Sequence, residues 1–162
     1  MKKYFILMIV TLLFTFGCES VSKTSQGVKK EDDKVTCKFT SNNTKDGYKI
    51  SSEYNIYKSG SIVKKVVSKE EIESDDESVL DYFLETLNST YESVNETYGG
   101  YDINIEKKDG KVYSQVTIDY TKMDVKAYVS DNTAMKSYVN SNNEMLASGL
   151  ISIYESMGAV CK

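Results

Sequence analysis

The chain has 162 residues and a formal net charge of −4, with no histidine, proline or tryptophan. Its basic residues are all lysine. Without histidine or arginine it cannot run Ser-His-Asp or Cys-His catalysis, build a histidine metal site or clamp a phosphate bidentately, and its acidic balance gives no electrostatic case for nucleic acid.

Lys2 and Lys3 precede an almost unbroken apolar run over residues 4–16. As a helix this run would be roughly 20 Å long, too short for a hydrocarbon core of about 30 Å. It therefore reads as a signal peptide over residues 1–17 rather than a membrane span. Gly17 followed by Cys18 resembles the bacterial lipobox, with Thr15 standing where leucine is usual. The bland alternative is an ordinary secretory signal with an incidental cysteine. On the lipobox reading, Cys18 is a lipidation site, the attachment point for a diacylglycerol with acyl chains such as palmitate. Two acyl chains suffice for stable anchoring where one is marginal. The expected location is the extracytoplasmic face of the cell membrane, with membrane lipid as a partner. Residues 18–34 are polar, charged and aperiodic, and read as a flexible tether to a single domain over residues 35–162.

From Val35 the pattern becomes that of strands. Val35, Cys37 and Phe39 alternate with Thr36, Lys38 and Thr40. Asp46-Gly47 signals a hairpin, after which Tyr48, Ile50, Tyr54 and Ile56 share a side. Lys58-Ser59-Gly60 turns the chain into a third strand, "SIVKKVVSKEEIE". Ser74 and Glu77 have capping-box spacing, and Leu80, Phe83, Leu84, Leu87, Tyr91 and Val94 form the apolar stripe of a helix. Gly99-Gly100 ends that unit. A hairpin turning at Asp109-Gly110 comes next, then a short helical turn in "TKMDVKAYV". Ser141 and Glu144 repeat the capping-box spacing. They predict a helix with Met145, Leu146, Leu150, Ile153, Tyr154 and Met157 inward, closed by Gly158, and "AVCK" ends the chain as a short extended piece. The expected fold class is α+β: an antiparallel sheet of about five strands (a meander plus a hairpin) with two main helices on one face.

The stretches "SGSIVKKVVSKEEI", "LNSTYESV", "KDGKVYSQVTIDYTKMDVKAY" and "ISIYESMGAV" resemble, in that order, the YehR-like family of small bacterial lipoproteins. The most telling is "IDYTKMD", residues 118–124. The resemblance implies a short lipoprotein signal followed by a small α+β domain, and it brings no activity, cofactor or catalytic residue with it.

Candidate sites are few. Cys37 and Cys161 form an even pair once Cys18 is acylated, and in an exported chain they read as a disulfide. Such a bond would join the domain's two ends and contribute at most about 5 kcal/mol through loop entropy. Two separate buried thiols, or a redox pair lacking the C-x-x-C spacing, are the other readings. Asp119, Lys122 and Asp124 form a possible surface polar cluster, in which Asp119 or Thr121 caps a turn and Lys122 pairs with an acid. The acidic run Glu70, Glu71, Glu73, Asp75, Asp76 and Glu77 lacks the glycine of a calcium loop and reads as a solvated strand-to-helix junction. Thirteen tyrosines divide into core and surface positions. No cofactor or metal is expected. The expected role is non-enzymatic binding of an envelope protein or a small ligand held between sheet and helices. The rival is an enzyme or enzyme accessory that acts on envelope material through a carboxylate pair, which needs no histidine.

Overall fold

The computed structural model describes residues 33–162. The expected signal peptide, Cys18 and all of the expected tether except Asp33 and Lys34 lie outside the described residues. Three long strands open the domain: β1 (Asp33–Asn43), β2 (Tyr48–Ser59) and β3 (Ile62–Ser74). Strand β1 thus takes in two residues expected in the tether. Helix α1 (Glu77–Tyr98) follows, then the hairpin β4 (Tyr101–Lys108) and β5 (Lys111–Asp119). The remainder comprises α2 (Val125–Asp131), a 3-10 segment (Thr133–Tyr138), α3 (Ala147–Ser156) and β6 (Val160–Cys161).

The sheet has six strands in the order β4-β5-β3-β2-β1-β6, every neighbouring pair antiparallel. The expected α+β class holds, with six strands rather than five. The extra strand is the terminal "VC", which pairs Cys37 with Cys161 and Lys38 with Val160 at the sheet edge. In the β4–β5 turn, Asp109 and Gly110 both have positive φ, 52° and 72°. That is the geometry of a type I′ hairpin, whose twist matches that of its strands.

Neither predicted capping box forms as spaced. Helix α1 is capped by Asp76, whose carboxylate accepts from the Ser78 N–H at 2.9 Å. Ser74 instead receives the Asp76 N–H and donates to the Gly47 carbonyl at 2.7 Å. Near the C-terminus the helix begins only at Ala147. Met145 and Leu146 lie in extended backbone, where Leu146 bridges Ile62 and Met145 accepts from the Val63 N–H at 2.9 Å. Backbone pairing to β3 thus outweighs the helical spacing of the apolar residues there.

The described hydrophobic residues bury themselves in two groups. One lies under α1 and includes Ile50, Ile72, Leu80, Phe83, Leu87 and Val112. The other lies under α2, the 3-10 segment and α3 and includes Ile56, Val63, Val66, Met135, Met145 and Leu150. Helix α1 covers the β4/β5/β3 side of the sheet, while α3 packs toward β1 and β6.

Candidate functional site

Between these two groups the inner face of the sheet changes character. Cross-strand pairing aligns Phe39, Ser52, Glu70, Ser114 and Ile105 in one row. Side chains along a strand alternate between faces, so Glu70 shares its face with Val66, Ser68 and Ile72. Three polar residues on three adjacent central strands thus interrupt an apolar floor.

Above this row lies a cavity of about 150 Å³, lined by sheet residues, by α1 from Phe83 to Val94 and by Leu150, Ile153 and Tyr154 of α3 with Met157 just after it. Six tyrosines line it: Tyr54, Tyr91, Tyr101, Tyr120, Tyr128 and Tyr154. Tyr54 and Tyr154 stack with centroids 4.2 Å apart and planes 10° from parallel, linking β2 to α3. The Tyr54 hydroxyl donates to Glu70 Oε1 at 3.0 Å, and the Ser52 hydroxyl reaches the same oxygen at 3.4 Å.

Both donors converge on Oε1, so Oε2 accepts no hydrogen bond from the described residues. Among them, no lysine pairs with Glu70. Glu70 is only partly exposed, and it is among the residues that line the cavity. Burial pushes its carboxyl above the ordinary carboxylate range, and the Tyr54 and Ser52 hydroxyls pull it partly back. Its cross-strand neighbour Ser114 is 3% exposed, and its hydroxyl makes no hydrogen bond. A buried polar atom left without a partner is costly and uncommon in native folds.

Burial also raises the tyrosines. Tyr128 is pushed up to about 12, and Tyr54, Tyr91, Tyr101, Tyr120 and Tyr154 shift upward mainly through desolvation. Near neutral pH the cavity is therefore a neutral aromatic enclosure around one carboxyl group.

Glu70 departs from the solvated-junction reading of the acidic run. Its neighbours Glu71 and Glu73 point to the other face, where both accept from Lys111 at 2.7 and 2.5 Å. Asp76 is a cap, and Glu77 pairs with Lys107 at 2.6 Å. The sequence did carry a signal for Glu70: it occupies the inward phase between Val66 and Ile72. That phase was masked by the surrounding acids.

Asp119, Lys122 and Asp124 form a folding device beside the cavity. Asp119 accepts from the Thr121 N–H at 3.0 Å and pairs with Lys122 at 3.0 Å. The Thr121 hydroxyl and then Lys122 hold its carboxyl below the usual range. Asp124 caps α2 by accepting from the Ala127 N–H at 2.9 Å. This turn seats the α1–β4 junction. The Asp124 N–H donates to the Tyr98 carbonyl, and the Asp119 N–H to that of Gly100, both at 2.8 Å. Gly100 has φ +84°, and a Cβ there would lie 2.8–2.9 Å from Asp119 and Met123 atoms. Only glycine allows so close an approach. The junction and the turn together set Tyr101, Tyr120 and Tyr128 around the cavity.

Cys37 and Cys161 are disulfide-bonded across the β1–β6 pair, 124 residues apart in sequence. Among the described residues, no three histidine, cysteine or acidic side chains converge as metal ligands, and no helix is long and apolar enough to cross a membrane.

No family model matches the chain, and no curated protein matches it. Two solved structures are similar. The NMR structure of the Escherichia coli YehR protein is 20% identical over 82% of this chain and 91% of that one, with a TM-score of 0.49. The NMR structure of a protein from Streptococcus pneumoniae TIGR4 is 14% identical over 91% of this chain and 98% of that one, with a TM-score of 0.46.

Proposed function

We propose that this protein is a lipid-anchored binding protein of the bacterial cell surface, tethered through Cys18, whose domain holds a small ligand between its sheet and its helices. One observation carries the binding reading: the core divides around a cavity of about 150 Å³ whose floor presents a carboxyl oxygen with no donor from the described residues. Pockets with apolar walls and a few converging polar groups are the usual form of small-molecule sites. A carboxylate-pair enzyme needs a second acid facing Glu70, and the cavity lining offers Glu70 as its single carboxylate. Binding is the reading this arrangement favours.

The pocket is tested by native mass spectrometry of the full chain purified from its own cells. A small molecule that leaves on unfolding, and is absent from the cavity-filling variant Thr90→Phe, is expected. Equal recovery from both proteins would refute the pocket. The anchor is tested by labelling cells with a lipid precursor: wild type should carry the label, while Cys18→Ala should lose it and leave the membrane.

A further inference from the structure

The structure points to a chemical class for the ligand, an inference that rests on the binding reading above. We propose that the cavity takes a small lipophilic ammonium, one ring or short apolar chain with a primary amine, its charged head on Glu70 Oε2. Three features of the cavity meet in that ligand.

The first is an acceptor without a donor. Tyr54 and Ser52 both serve Oε1, leaving Oε2 without a hydrogen bond from the described residues on a side chain that lines the cavity. A primary ammonium brings three N–H donors and the missing positive charge. A hydrogen bond between two charged groups is roughly twice as strong as one between neutral groups. The neighbouring Ser114 hydroxyl, buried and without a hydrogen bond, is a second polar group in the same row.

The second is the absence of an internal counter-ion. Among the described residues no lysine pairs with Glu70, and Lys111 of the adjacent strand is engaged with Glu71 and Glu73 on the opposite sheet face. The sequence contains neither arginine nor histidine. A buried carboxylate lacking a cation favours its neutral form, as the upward displacement of Glu70 reflects. A cationic ligand reverses that preference. An anionic one would add like charge in a weakly screened site, and a neutral one would leave the carboxylate uncompensated.

The third is size and wall chemistry. A cavity of about 150 Å³ matches one known to hold a benzene-sized molecule. Its walls carry tyrosine rings, whose π-electrons attract a nearby cation.

Three probes of nearly equal shape separate the possibilities: phenethylamine, 2-phenylethanol and phenylacetate, titrated against the full chain by calorimetry and by NMR of cavity residues. Phenethylamine should bind at least about tenfold more tightly than the alcohol, with phenylacetate weakest. In Glu70→Gln the amine should fall to the affinity of the alcohol while the alcohol is unchanged, a pattern that general unfolding cannot produce. Equal affinities for all three, or a preference for the acid or the alcohol, would overturn the ammonium class and leave the pocket standing. If none of them perturbs a cavity residue, both this inference and the pocket reading fail.

Discussion

The two faces of one sheet treat the same side chain in opposite ways. On the outer face Glu71 and Glu73 share Lys111, with side chains 37%, 36% and 31% exposed. There water screens every charge, and each pair is worth at most about 1 kcal/mol. Glu70, next to Glu71 in sequence, faces inward with two hydroxyl donors, no cation among the described residues and an aromatic roof. Adjacent positions in one strand thus differ more in electrostatic setting than distant ones on the same face. Protonation and ligand binding concentrate where the field is least screened.

This contrast can be broken at several points. The largest effect is expected at the edge that supports the inner face: replacing both Cys37 and Cys161 with serine removes a closure spanning 124 residues. It should lower stability by up to about 5 kcal/mol in urea unfolding, with reductant lowering the wild type to the same midpoint. A smaller loss within about 1 kcal/mol would mean that strand pairing alone holds the edge.

Next comes the contrast itself. Glu70→Lys places an unpaired cation among apolar walls and should lose about 3–5 kcal/mol, whereas Glu71→Lys on the outer face should change stability by no more than about 1 kcal/mol. Similar losses at the two positions would erase the distinction between the faces.

Removing the Tyr54 hydroxyl is a milder test. Tyr54→Phe keeps the stack on Tyr154 but takes a donor from Glu70, and should cost about 1–2 kcal/mol at neutral pH.

The smallest effect has a distinctive sign. The folded-state pKa of Glu70 lies above its unfolded value, so its contribution is fully present below the unfolded carboxylate pKa and is lost as pH rises through the raised one. Glu70→Gln should therefore be more stable than wild type at neutral pH, with the gap closing in acid. The titratable groups facing Glu70 are the cavity tyrosines of β2, β4, α1, α2, α3 and the turn after β5. All are displaced upward and stay neutral in this range. A gap independent of pH, followed by thermal melts between pH 4 and pH 8, would show that Glu70 does not titrate as its burial implies.

Much of the fold was legible because alternation and turn chemistry are local. The three-strand meander, the α1 stripe and the Asp109-Gly110 hairpin all follow from side-chain period and from glycine or aspartate at positive φ. The pairing of Cys37 with Cys161 followed from the cysteine count and the export expected of the chain. Less legible was the segment before α3, where S-x-x-E spacing suggested a helix and bridges to Ile62 and Val139 imposed extended backbone. The terminal Val160–Cys161 segment was legible as a short extended piece, but not its place as a sixth strand of the sheet, because two residues carry no period that would show their pairing with β1.

The candidate site sits on the same boundary. Ser52, Glu70 and Ser114 each occupy an inward position in their own strand pattern, and the sequence alone determined that facing. Only the tertiary structure decided that the three gaps fall in one row, because register between strands depends on turn lengths and on the β2–β3 irregularity at Tyr57/Lys58. The space above the row likewise depends on where α1 and α3 come to rest. Local patterning encodes which way a side chain points, but a cavity is a property of how separate elements fail to touch.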